Sequence, residues 1–306
     1  MSASDPAARL AAGLLYAIAA SIGRLPLSWL WRLGDALGAL SYRRNSRETR
    51  AARRNLELID TPADAPTREA RVRAILRATG RNALETLRIW TRPRADNLAL
   101  LRAVHGLEVL EAAERSDRGV IVIAPHFGNI ELVVEFMASR RTFSLVYRAP
   151  GKRVGDLFLR RARGGDNVQL VPAESNALRP LWKALAAGGT VGVTPDQQPK
   201  LGAGEFAPFF GKLAFTPSLV PKLAARSGAA LVFAYAQRVD AGFELHFEAG
   251  DPHIGDSDIG VAMAALNAQV EAIARRDFRQ YQWSYKRYTI RPPESGEDNP
   301  YFPDCY

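Results

Sequence analysis

Among 306 residues there is one cysteine, Cys305, beside the C-terminus, so no internal disulfide can form; this accords with a reducing compartment. No Gly-x-Ser-x-Gly elbow is present, and neither is a phosphate-loop, zinc-protease, CxxC or dinucleotide signature. A covalent intermediate on the protein therefore has no obvious nucleophile, and a substrate group is expected to attack for itself. Long apolar runs are also missing. The charge-free stretch Leu10 to Gly23 has 14 residues, short of the roughly 20 needed to span a bilayer. It follows a single basic residue, Arg9, and lacks a clear cleavage site, which argues against a secretory signal. No repeat or low-complexity linker divides the chain.

What is present suits one large α/β domain with helical additions: 47% of residues are hydrophobic, ample for a core. The formal net charge of +9 points to an anionic partner, either nucleic acid or a phosphorylated membrane surface. Its distribution favours the membrane. Arg43, Arg44, Arg47, Arg50, Arg53 and Arg54 directly follow an N-terminal segment rich in Leu, Ala and Trp. A hydrophobic segment beside a basic one suits an anionic bilayer surface. Residues 1–60 are thus expected to form a helical membrane-association segment, interfacial or shallowly inserted, with Trp29 and Trp31 at headgroup level. Two ordinary packed helices with a solvated arginine face would give the same composition. No nucleic-acid-binding motif accompanies the charge.

Residues 61–306 are expected to form the α/β domain. Up to about Trp90 the texture is helical, with a break at Thr61 to Pro66. Short apolar runs then appear at Val120 to Ala124, Phe143 to Tyr147, Val168 to Val171, Thr190 to Thr194, Ala230 to Ala236 and Phe243 to Phe247. Helix-length stretches lie between most of them, notably Glu131 to Ser139, Ser175 to Ala187 and Pro217 to Arg226, with a late helix from Ile259 to Arg276. Alternation of this kind implies a largely parallel sheet covered on both faces, with chemistry beyond the carboxyl ends of its strands. His126, Arg148 and Asp196 would then share one edge.

A histidine followed by an acid five residues on is weak by itself: about 0.4 matches are expected by chance from this composition, and the chain has three. His246/Asp251 splits across a strand and a turn, and His253/Asp258 lies in a polar loop. Only at His126/Glu131 do strand, turn and helix converge, because Pro125 ends an apolar strand and Gly128-Asn129 starts a helix. His126 suits removal of a proton near neutral pH, and Glu131 could hold the ring in one tautomer. A helix cap at His126, with Glu131 favouring the helix dipole, reads the same residues without catalysis.

Arg148 could stabilise an oxyanion, hold a phosphate, or form a surface ion pair. Asp196-Gln197-Gln198 could bind sugar or phosphopantetheine, fix the Arg148 guanidinium, or be a plain turn. The Phe206 to Lys212 segment reads as a loop, and with Phe209 and Phe210 it could line an acyl groove, dip into a bilayer, or cover a core. Gln282 to Tyr288 mixes aromatics with Lys286 and Arg287, which could meet phosphates.

These residues in this order resemble the late lipid A acyltransferases, the lauroyl and myristoyl transferases of the Gram-negative inner membrane. The likeness runs nearly the full length. It takes in Asn55-Leu56, His105-Gly-Leu-Glu108, Pro125-His-Phe-Gly-Asn-Ile-Glu131, Tyr147-Arg148, Arg179 and Pro195-Asp-Gln197. It continues through Pro208-Phe-Phe-Gly211, Thr216-Pro217, Asn267 with Glu271, Gln282-Trp283 and Lys286-Arg287. Tyr285 departs from the histidine often found there. The resemblance implies a glycerol-phosphate-acyltransferase-like α/β fold at the cytoplasmic face of the inner membrane. It implies acyl transfer from acyl carrier protein to a hydroxyl of a Kdo-bearing, phosphorylated lipid A precursor. His126 would be the general base with Glu131 as its partner, and Arg148, oriented by Asp196, would hold the oxyanion. Gln197, Arg179, Phe209, Phe210, Lys286 and Arg287 would serve substrate binding, and no metal or redox cofactor is required. Related enzymes of the wider superfamily acylate phosphatidylinositol mannosides or lysophospholipids through the same core motif. A non-catalytic lipid-binding protein of this fold is the other alternative.

Overall fold

A computed structural model describes residues 5–59, 64–173 and 178–306. Four long helices come first: α1 (Pro6–Gly23), α2 (Leu27–Arg43), α3 (Arg47–Leu58) and α4 (Ala65–Ile89). Asp5, Ser46 and Asp64 cap α1, α3 and α4 by accepting from the backbone N–H three residues on, satisfying donors that have no partner inside a helix. The expected break at Thr61 lies partly outside the described residues.

The α/β portion then runs α5 (Arg94–Leu98), β1 (Leu101–His105), α6 (Leu107–Glu114), β2 (Val120–Ile123), α7 (Ile130–Arg140), β3 (Phe143–Tyr147), α8 (Arg153–Arg163) and β4 (Val168–Pro172). It continues with α9 (Leu178–Ala186), β5 (Thr190–Val193), β6 (Gly204–Phe209), β7 (Lys212–Pro217), α10 (Leu219–Ser227), β8 (Ala230–Val239), β9 (Gly242–Ala249) and α11 (Ile259–Arg276). Seven strands form one sheet in the order β1-β9-β8-β2-β5-β3-β4. The neighbours from β8 to β4 are parallel, β9 turns back antiparallel on β8, and β1 runs parallel to β9. All six apolar runs are strands. The start of the stretch expected from Ser175 lies outside the described residues.

Each central strand is buried on both faces, and its period of two divides the core in half. Ile121, Ile123, Val191, Val193 and Phe233 face a cluster that includes Leu56 of α3, Ile75 of α4 and Leu266 of α11. Val120, Val122, Val232 and Ala234 face one that includes Leu110 of α6 and Leu132 of α7. Full burial of one such Val or Ile contributes roughly 1.5–3 kcal/mol. Helices α3 and α4 therefore share a core with the sheet. A buried Arg238–Glu85 ion pair ties β8 to α4, and Trp31 Nε1–H also donates to Glu85, at 2.5 Å. Trp31 is thus turned inward, and of the two tryptophans expected at headgroup level only Trp29 faces out.

The segment read as a Phe-rich loop is instead a two-stranded antiparallel hairpin, β6–β7, closed between Phe209 and Lys212. Phe210 and Gly211 both take positive φ, 48° and 74°, the backbone of a two-residue hairpin turn that matches strand twist. Burial offsets the strain of that conformation in phenylalanine. Its ring packs edge-on against Phe209 and Trp283, and its N–H donates to Glu271 at 2.6 Å.

Candidate functional site

β2 and β5 are adjacent and parallel, with Ile123 opposite Val193, so their carboxyl ends deliver His126 and Asp196 to the same place. Between β2 and α7 the chain turns at Gly128, where φ is +59° and an added Cβ would lie 1.9 Å from the Ala236 carbonyl oxygen. Only glycine fits there. The turn is clamped on both sides: Gly128 N–H donates to the Gln280 carbonyl, Asn129 N–H to that of Ala236, and Gln282 N–H to that of His126. Asn129 caps α7 by accepting from Glu131 N–H at 3.1 Å.

Besides that carbonyl contact with Gln282, His126 is held at three points. Its backbone N–H donates to Asp196 Oδ2 at 2.8 Å, and its Nδ1–H donates to Asp196 Oδ1 at 2.7 Å. With the proton on Nδ1, Nε2 carries a lone pair, and Gln197 Nε2–H approaches it at 3.2 Å while also donating to Gln282 Oε1 at 3.0 Å. The ring keeps about a fifth of its surface open, whereas the Asp196 side chain is 2% exposed. Burial of Asp196 opposes its ionisation, but the His126 ring and backbone N–H outweigh it and hold the carboxyl below its ordinary value. Burial first, then the Asp196 charge, pushes the Tyr281 hydroxyl well above its usual range, so it stays a neutral donor. The result is an oriented imidazole with a fixed carboxylate on Nδ1 and its basic nitrogen, Nε2, on the far side of the ring against Gln197. Such an arrangement takes a proton from a hydroxyl that comes within hydrogen-bond reach.

The expected contact of Glu131 with the His126 ring is not the one the structure makes: Asp196 meets the ring instead. Glu131 is 4% exposed, and its carboxylate is taken up by Arg163 at the end of α8, with contacts of 2.5 and 3.1 Å. The left-handed turn at Gly128 separates the two residues, and Glu131 sits on the side of α7 from which Arg163 reaches. Arg148 does share the strand-end edge, but its guanidinium donates to the Gln198 carbonyl at 3.2 Å, and Asp196, engaged by His126, does not orient it. Arg179 is exposed on α9. Phe209 and Phe210 are 1% and 5% exposed within the core, so they line no open groove. Arg287 is likewise corrected from a phosphate contact to a buried strap, donating to the Phe215 carbonyl at 2.7 Å and to Thr216 Oγ1 at 2.5 Å. Lys286 sits against the Tyr306 ring, 3.1 Å from its centre.

Sequence reasoning missed Arg163, which lies on a helix that no apolar run announces. It also missed the bond from Gln197 to Gln282, which only the fold brings together.

Residues 7–289 match the family described as bacterial lipid A biosynthesis acyltransferase. The chain belongs to this family. It is an acyltransferase of lipid A biosynthesis. The chain is 30% identical over 272 residues to the lipid A biosynthesis palmitoleoyltransferase of Escherichia coli (strain K12), covering 88% of both chains. It is 27% identical over the same length, with the same coverage, to the lauroyltransferase of that organism. To a lipid A biosynthesis acyltransferase of Haemophilus influenzae it is 26% identical over 286 residues, covering 91% of this chain and 90% of the relative. The matched span takes in His126, Glu131, Arg163, Asp196 and Gln282 of the acyltransferase alike.

Proposed function

We propose that the enzyme moves a fatty acyl group from an acyl carrier protein thioester to a hydroxyl of a Kdo-bearing lipid A precursor, with His126 as general base. The observation that carries this reading is the Asp196–His126 pair with Nε2 left as the basic atom. In the proposed step the acceptor hydroxyl displaces Gln197 Nε2–H from His126 Nε2 and gives its proton to that nitrogen, and its oxygen attacks the thioester carbonyl. The tetrahedral oxyanion is met by Arg148 on the same rim, with Gln197 Nε2–H as a second donor. Collapse breaks the C–S bond, and the proton on Nε2 passes to the departing thiolate. Asp196 fixes the tautomer and stabilises the imidazolium while it exists. Glu131 acts as a positioning residue, holding α8 against α7 through Arg163. No protein nucleophile is needed.

The N-terminal helices support a membrane location. Helix α1 is long and apolar enough to cross a membrane by length and composition. Its small residues Ala8, Ala12, Ala19 and Gly23 are buried, while Leu10, Leu14, Leu15 and Ile18 point outward. Helix α2 repeats the inversion: Gly34 and Gly38 sit on the α4 backbone, and Trp29, Leu33, Leu37 and Leu40 are exposed. Large side chains outside and small ones inside is the reverse of a helix in water, and it suits a lipid environment. We assign this face to the cytoplasmic side of the inner membrane. The arginine cluster contributes less than its count suggests, because Arg50 and Arg54 donate to carbonyls of the C-terminal tail and Arg53 pairs with Glu69.

The test is a matrix of donors against acceptors in detergent: acyl carrier protein and coenzyme A thioesters of several chain lengths against the Kdo-bearing precursor, a phosphatidylinositol mannoside and a lysophospholipid. Transfer confined to the acyl carrier protein and the Kdo-bearing precursor is expected. Activity on another acceptor, with none on this one, overturns the assignment.

A further inference from the structure

At the β1 edge of the sheet, separated from β2 by β9 and β8, lies a second group of titratable side chains that the acyl transfer does not use. His105 on β1 and His246 on β9 are register partners, and their rings stack at 4.6 Å. Glu244, two residues before His246 and hence on the same face, places Oε2 3.3 Å from His105 Nε2 and 3.8 Å from His246 Nε2. All three residues bring one ligand atom within 4.8 Å of the others. His246 Nε2 is buried without a hydrogen-bond partner. A buried ring nitrogen left unpaired is costly and calls for a ligand.

We propose that His105, Glu244 and His246 form a binding site for a divalent first-row transition metal, with Zn²⁺ as the expected occupant. Two imidazoles and one carboxylate match the donor preferences of this ion, which makes bonds of about 2.0–2.2 Å to such atoms. Ligand atoms around one tetrahedral ion then lie about 3.3–3.5 Å apart. The His105–Glu244 spacing already fits, and the wider gap from Glu244 to His246 closes with rotation of the Glu244 side chain. The Tyr235 ring, stacked on His246 at 4.8 Å and 9°, fixes the imidazole plane. Three protein ligands leave a coordination position for water. The metal would staple edge strand β1 to β9, where the register is interrupted between Leu101 and Ala103.

The test uses the full chain in detergent, free of any histidine tag and stripped with chelator, titrated with Zn²⁺ by calorimetry and followed by thermal unfolding. The expected result is one Zn²⁺ per chain and a raised Tm. His105→Ala, at an exposed position, and Glu244→Gln should each weaken binding by about tenfold or more. His253→Ala, outside the group, should leave it intact. No stoichiometric binding, or binding of full strength in both His105→Ala and Glu244→Gln, overturns the proposal.

Discussion

Replacing Asp196 by Asn removes one charge while preserving shape, and the geometry around His126 turns that small change into a misplaced proton. Asp196 accepts two hydrogen bonds from His126, one from the backbone N–H at 2.8 Å and one from Nδ1–H at 2.7 Å. An asparagine has only one acceptor oxygen. If that oxygen keeps the backbone N–H, its NH₂ faces Nδ1, which must then become the acceptor. The ring proton moves to Nε2, the atom that has to receive a proton from the substrate. General-base help is worth about 10²–10⁴-fold in rate, so kcat should fall by that factor, or about 2.7–5.4 kcal/mol of barrier. KM should change little, since Asp196 is buried away from substrate. Acyl transfer under saturating acceptor measures kcat, and ¹⁵N chemical shifts of the His126 ring report the tautomer. Stability supplies a second readout. The folded Asp196 pKa lies below 3.8, so the unfolded chain binds the extra proton between the two values. The stability this adds is present above about 3.8 and is lost as pH falls through the lower folded value. Urea midpoints of the wild type and of Asp196→Asn should therefore converge below about pH 4. A variant with wild-type kcat and the proton still on Nδ1 would rule out this role for Asp196.

Three other perturbations separate roles that composition alone runs together. Glu131→Gln leaves Arg163 without its charge partner, and with Arg163 about a fifth exposed the expected loss is roughly 2 kcal/mol in denaturant unfolding. Charge reversal of both residues, Glu131→Arg with Arg163→Glu, should recover part of it; a general base or ring partner at Glu131 would not be rescued. Arg287→Met should lower stability by about 1–3 kcal/mol through the stranded Phe215 carbonyl and Thr216 hydroxyl, with acceptor KM unchanged in a folded preparation. A rise in KM with no stability loss would return Arg287 to substrate binding. Leu14→Glu, on the exposed face of α1, should weaken flotation with anionic vesicles by at least tenfold, since one leucine side chain contributes about 1.5–3 kcal/mol on burial; unchanged flotation would remove α1 from the membrane face.

The sheet was legible because central strands buried on both faces read as uninterrupted β-branched runs, and all six apolar runs became strands. β1 was not, since Leu101 to His105 is a half-exposed edge strand with polar residues and an irregular register. The β6–β7 hairpin was hidden by Pro208 and by a turn whose first position is Phe210 instead of the usual Asn, Asp or Gly. At the site, the strand-turn-helix context singled out His126, and the sheet rule placed Asp196 on the same edge. Which carboxylate meets the ring was not readable, because local spacing favours Glu131 while the contact with Asp196 spans 70 residues. The cations divided in the same way: Arg287 and Arg163 are engaged by buried partners from distant segments, which no charge count reveals.

The proposed chemistry depends above all on His126 Nε2 removing the proton from the acceptor hydroxyl. Initial rates of acyl transfer from an acyl carrier protein thioester to the Kdo-bearing precursor, compared between wild type and His126→Ala with folding of both verified by thermal unfolding, address this step without intermediaries. Transfer by the wild type and a loss of at least about 10²-fold in kcat for the folded variant are expected. Equal rates from the two proteins would exclude His126 as the base.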